Sequence, residues 1–196
     1  MNLRWFGTIA GLLAACAGAP GGEGPGETAG PAGDSEVDTV AATCPPSGPF
    51  GFKLGDTLVD LDFLDCDGHP VSLHDLCPAS PGLLFHHYGW CGSCLDFLQA
   101  LPELDATFGP AGLQILVVLA EDSVGRPATA QYCAGLREEL GVPGTFVYDP
   151  DDRFAAYGKN GLVILTDPGA RIRFKRDDAS LGTVTAAIEE MLSPRE

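Results

Sequence analysis

The sequence predicts one α/β domain over residues 44–196, a central mixed sheet with helices on both faces and a β-hairpin at its N-terminal edge. Three observations carry that prediction. Apolar runs of strand length alternate with amphipathic stretches of helix length. The runs at 82–88, 113–120 and 162–166 are continuously apolar, as in strands covered on both sides. Residues 57–65 instead alternate apolar and polar, as in a half-buried strand.

The elements follow in order. After the strand 57–65, Asp65-Cys66-Asp67-Gly68 is a turn signal, and residues 71–73 pair back as a second short strand. Ser72 or His74-Asp75 begins a short helical turn. The buried strand 82–88 leads to a helix over 94–108, in which Pro102 is expected to cause a kink or a restart. The branched run 113–120 is a second buried strand. Residues 129–140 form an amphipathic helix closed by Gly141. A short extended piece covers 146–148, and a third buried strand covers 162–166. Asp167-Pro168-Gly169-Ala170 turns the chain into an edge strand at 171–175, and an amphipathic helix over 181–192 closes the domain.

Composition narrows the function. The chain has 196 residues, 45% of them hydrophobic, enough for one real core. Its formal net charge is −16, which repels phosphate backbones and argues against nucleic-acid partners. The acidity is first of all a solubility device. No internal repeat is present. Seven cysteines point to an oxidising compartment.

The first residues read as an address. Arg4 precedes an uncharged, mostly apolar run from Trp5 to Ala15, too short to span a bilayer as a helix. The ending Leu13-Ala14-Ala15-Cys16 resembles the bacterial lipobox. That resemblance implies a signal peptide over 1–16, cleavage before Cys16, lipidation of its thiol and a membrane-anchored protein of the cell envelope. Residues 17–43, rich in Gly, Pro, Ala and acids, lack the apolar surface to fold and read as a tether.

The chemistry concentrates where the strand 82–88 runs through Gly89 and Trp90 into Cys91-Gly92-Ser93-Cys94 and the following helix. A thiol at a helix N-terminus meets free N–H groups and the positive end of the helix dipole, which favour the thiolate. Cys91 is therefore the expected attacking thiol. Cys94, one turn on, can close a disulfide with it and resolve a mixed disulfide. Gly92 and Ser93 add little bulk, and Trp90 covers one flank. Alternation sends His86 and His87 to opposite faces of the strand, with His87 able to approach the thiols.

Over roughly 50–192, these blocks resemble the thioredoxin superfamily, and within it the TlpA-like and thiol-specific antioxidant branch. WCGSC matches its Trp-Cys-x-x-Cys. DLDFLDCDGHPVSLHDLC is similar to its opening hairpin, GLQILVVLAED to its next strand and LVILTDPGARIRF to its closing hairpin. The resemblance implies a thioredoxin-like three-layer fold and thiol–disulfide exchange through Cys91 and Cys94, with no cofactor and no metal. Partners would be disulfides of exported proteins or small molecules, and a membrane or periplasmic electron donor. The chain departs from the family pattern in three places. Lys159-Asn160-Gly161-Leu162 stands where the family has a cis-proline that shapes the pocket facing the thiols. Gln99 stands where a helix proline is usual. Phe97 replaces a proton-accepting carboxylate, leaving Asp96 as the nearest acid.

Other readings are weaker. A zinc site lacks a second ligand pair, and a haem attachment motif needs His where Leu95 stands. A peroxidase would carry Pro-x-x-x-Thr-x-x-Cys before Cys91. A copper-binding assembly factor using Cys91, Cys94 and His87 would space its cysteines by three residues. A redox-inert scaffold is the remaining alternative. Cys44, Cys66, Cys77 and Cys133 are structural-disulfide candidates with three possible pairings, and Tyr88, Tyr157 and Lys159 read as packing or surface residues.

Overall fold

The computed structural model describes residues 44–77, 80–142, 144–159 and 161–193. Residues 1–43, where a signal peptide, lipidation of Cys16 and a tether are expected, lie outside the described residues. Two short strands, β1 (Phe50–Gly51) and β2 (Thr57–Leu58), pair in parallel. The hairpin strands β3 (Asp62–Asp65) and β4 (Pro70–Ser72) follow, antiparallel, with Phe63 opposite Val71. Then come β5 (Gly82–Tyr88), α1 (Gly92–Phe108), β6 (Gln114–Glu121) and α2 (Ala130–Leu140). The chain ends with β7 (Thr145–Tyr148), β8 (Val163–Thr166), β9 (Ile172–Arg176) and α3 (Leu181–Leu192).

Seven strands form one mixed sheet in the order β4-β3-β7-β6-β5-β8-β9. β5, β6 and β7 run parallel, linked through α1 and α2, and β8 returns antiparallel beside β5. Alternation along β5 divides the core. Leu83 and Phe85 face the side covered by Leu98 and Leu101 of α1, Leu136 of α2, and Val184 and Ile188 of α3. Leu84 faces the other side, closed by Leu58, Leu73 and the 3₁₀ turn Arg153–Ala156 with Phe154 and Tyr157.

Local chemistry sets the boundaries. Ser72 accepts from the His74 N–H while Asp75 accepts from the Ser72 N–H, a capping box that starts the 3₁₀ turn Leu73–Leu76. Thr129 caps α2, Gly141 ends it with φ 56°, and Ser180 caps α3. Two expectations are corrected. The strand read over 57–65 is two strands, because Val59 leaves the ladder to bond the buried Tyr157 hydroxyl and Leu61 accepts from the Leu73 N–H. The helix does not restart at Pro102, which lies exposed inside an α1 that runs unbroken from Gly92 to Phe108.

Disulfides fasten the hairpin end of the sheet. Cys66, at the β3–β4 turn, bonds Cys133 in α2, and Cys44 bonds Cys77 after the capped turn.

Candidate active site

The site grows out of the junction between β5 and α1. Gly89 makes the turn there, since a Cβ on it would stand 2.6 Å from the Asp122 carbonyl carbon and 2.7 Å from the Ser123 nitrogen. Trp90 follows, half exposed, its indole N–H donating to the Glu121 carboxylate and its ring 5.4 Å from that of Tyr88. Cys91 is then the N-cap of α1, in extended conformation, and its sulfur accepts from the Cys94 N–H at 3.2 Å. Ser93 Oγ lies 3.5 Å from the same sulfur. Cys94 sits one turn inside, 1% exposed, and bonds Cys91 across a Cα–Cα distance of 5.2 Å. Cys91 is more open to solvent, and nothing stands within 4 Å of where a Gly92 side chain would project.

Once reduced, the two sulfurs would differ. The Cys91 position faces a backbone donor and the start of a 17-residue helix, which stabilises negative charge there. Cys94 lies in the core, where burial favours the neutral thiol.

A cavity of about 260 Å³ opens beside Cys94. Phe85, Phe97, Ala100 and Leu181 give it apolar walls, and Asp96 and Asp178 bring exposed carboxylates. The carboxylate expected in the family at position 97 is replaced by a ring buried against Phe85, centroids 4.6 Å apart. Asp96, the nearest acid in sequence, lines the cavity. In the loop 159–162, where the family resemblance leads one to expect a cis-proline, Gly161 has φ 71°. A Cβ there would lie 3.3 Å from the Cys94 sulfur and 3.4 Å from Asp178 Oδ1.

The two histidines of β5 differ. His86 is fully buried on the face opposite α1, edge-on to Phe154, with Nδ1 donating a long bond to the Gly158 carbonyl at 3.4 Å. Its Nε2 lies 3.2 Å from Asp152 Oδ1 without the alignment of a hydrogen bond. Tyr88 donates to both Asp152 oxygens at 3.1 Å, and burial raises the carboxyl's proton affinity. His87 shares the α1 face with Phe85 and is 1% exposed, and its Nδ1 has no partner among the described residues. Burial pushes both imidazoles down to about 4. Among the described residues, no three His, Cys, Asp or Glu side chains come together as metal ligands.

Sequence reasoning missed Phe85, Asp178 and Leu181 as parts of this surroundings. Gly161 was within reach of it, because the family pattern marks that loop as facing the thiols.

No family model matches the chain, and no curated protein matches its sequence. Solved structures do match it. The thioredoxin domain of a thiol-disulfide oxidoreductase from Bacteroides vulgatus is 19% identical with a TM-score of 0.61, over 73% of this chain and 100% of that one. A thiol:disulfide interchange protein from a Bacteroides species is 20% identical with a TM-score of 0.58, over 72% and 91%. The peroxidoxin BcpB of Mycobacterium tuberculosis is 16% identical with a TM-score of 0.63, over 74% and 100%. At these identities the likeness establishes the architecture: the chain has a thioredoxin-like fold, with its Cys-x-x-Cys pair at the start of the first long helix.

Proposed function

We propose that this protein is an extracytoplasmic thiol–disulfide oxidoreductase working through Cys91 and Cys94. The observation that carries the reading is the asymmetry of the pair, an accessible sulfur capping α1 and a buried one a turn behind it. In the reduced protein the Cys91 thiolate attacks one sulfur of a substrate disulfide. A mixed disulfide forms and the substrate's other sulfur leaves as a thiolate that takes up a proton. Cys94, losing its proton, then attacks the Cys91 sulfur and releases the second substrate thiolate. Two electrons pass to the substrate and the Cys91–Cys94 disulfide remains. The reverse sequence oxidises a substrate dithiol.

The likeness to structures named as thiol:disulfide interchange proteins agrees with this chemistry. Export rests on the Leu-Ala-Ala-Cys ending at Cys16, and the two further disulfides suit an oxidising compartment. No helix among the described residues is long and apolar enough to cross a membrane; in this reading the lipid on Cys16 is the anchor.

The test is trapping. Cys94→Ser should accumulate a mixed disulfide on Cys91, and Cys91→Ser should accumulate none. Alkylation rate against pH in the two single variants should give Cys91 the lower pKa. A faster Cys94 near neutral pH reverses the assignment, and two thiols as slow as a free cysteine overturn the enzyme. Detergent partitioning of Cys16→Ser tests the anchor, which is wrong if the variant stays equally membrane-bound.

A further inference from the structure

The cavity beside Cys94 continues. A second hollow, about 230 Å³, lies between α1 and α3 and shares Ala100 and Leu181 with the first. Its lining adds Leu104 and Phe108 as apolar floor and Glu103 and Glu189 as exposed carboxylates. The α1 positions concerned, Ser93, Asp96, Ala100, Glu103 and Thr107, recur at helical spacing along one face of the helix. The two hollows thus adjoin at Ala100 and Leu181 and together trace a groove from the Cys94 sulfur along this face of α1. At about 1.5 Å per residue it runs some 20 Å, room for roughly six residues of extended chain.

Its chemistry is one-sided. Four carboxylates from two helices and a loop line it, and among the described residues no Lys, Arg or His does. The large buried side chains that line it, Phe85, Phe97, Leu104 and Phe108, are apolar. A small disulfide would fill only the end nearest Cys94, and an anionic one would meet a field of its own sign.

We propose that this groove receives the segment flanking a cysteine in a basic polypeptide, seating an aliphatic side chain on the floor and Lys or Arg side chains against Asp96, Asp178, Glu103 and Glu189. The assignment rests on the exchange chemistry proposed above and names its substrate class. The partner's disulfide is attacked by Cys91 while its flanking residues lie along α1. Cys94 then releases the partner as a thiol, the two electrons coming from the reduced pair.

The experiment uses the full chain with Cys91 and Cys94 reduced. Two peptide homodisulfides are compared, each six residues long with the same leucine beside the cysteine, one carrying lysines and the other glutamates. At low salt the lysine peptide should oxidise the pair at least about tenfold faster, and about 0.5 M NaCl should remove most of that ratio. Glu103→Lys/Glu189→Lys should cut the ratio several-fold, and the neutral Glu103→Gln/Glu189→Gln should cut it less. Glu138→Lys/Glu139→Lys, on the exposed end of α2 outside the groove, makes the same change in net charge and should leave the ratio near its starting value. A ratio near one, or equal loss from the α2 and groove variants, overturns the groove while leaving exchange intact. No Cys91-dependent reaction with either peptide overturns exchange, and the groove's role with it.

Discussion

Gly161 faces Cys94 so closely that a Cβ on it would stand 3.3 Å from the sulfur, and its φ of 71° is one that L side chains rarely adopt. The same Cβ would lie 3.4 Å from Asp178 Oδ1, which lines the same cavity. The bare backbone at this position thus keeps open the approach to the buried sulfur.

Gly161→Ala should therefore act on both stability and chemistry. The left-handed conformation costs an alanine about 1 kcal/mol, and the methyl crowds the path by which Cys94 reaches a mixed disulfide. We expect a lower urea midpoint and slower decay of the Cys91 mixed disulfide in single turnover, with its formation little changed. An unchanged decay rate would show that the close approach has no part in resolution.

The Cys66–Cys133 bridge closes a span of 67 residues between the hairpin turn and α2, in the core layer that also holds Cys94 but at the hairpin edge of the sheet rather than at β5. Removing it with Cys66→Ala/Cys133→Ala should cost about 4 kcal/mol by the loop-entropy argument. Exchange by Cys91 and Cys94 should persist in the folded protein. Calorimetry and a disulfide-reduction assay on one preparation check both halves, and a thermal midpoint equal to the parent's would rule the bridge out as a stabiliser.

Tyr157, 1% exposed, accepts from the Val59 N–H at 2.7 Å and donates to the Val59 carbonyl at 3.2 Å. Its ring packs against Phe154 and Phe52, 5.1 and 4.8 Å between centroids. Tyr157→Phe keeps that packing but leaves the Val59 backbone without its partner. The expected loss is about 1–3 kcal/mol in denaturant unfolding. A change well under 1 kcal/mol would mean that water or a shift of β2 replaces the hydroxyl.

These residues also mark how far the sequence could be read. The continuous apolar runs located β5, β6 and β8, because strands covered on both faces need nothing else to specify them. The strand-to-helix placement of Cys91 located the dithiol. The split at residues 59–61 was hidden, since its cause is a hydroxyl 98 positions away. The cysteine pairings were equally closed to sequence reading, as they depend on where α2 lands beside the hairpin turn. The groove was invisible for the same reason: its two walls meet only in the fold, and Leu181 is an ordinary apolar position until α3 sets it against Ala100.

The last prediction concerns acid. Burial pushes the imidazoles of His86 and His87 down to about 4, against an ordinary value of 6.5. At His86 the Gly158 carbonyl and the charges of Asp149 and Asp177 oppose that shift, while Lys159 adds to it. At His87 a charged His86 adds to it. In the unfolded chain both histidines take up a proton near their ordinary value. Between about 6.5 and 4 the unfolded state therefore binds more protons than the folded state, and stability falls as the pH drops through that window. From pH 7 to pH 5 the loss should be about 2 kcal/mol for each histidine. Below 4 both states are protonated and the loss is complete. His87 is the cleaner test, because its Nδ1 has no partner among the described residues. His87→Leu should remove one of the two titrating groups, flattening the fall between pH 7 and pH 5 by about half. Urea unfolding across that range decides the matter. A parent protein as stable at pH 5 as at pH 7, or a variant with the parent's slope, would show that the buried imidazoles do not set the acid sensitivity of this fold.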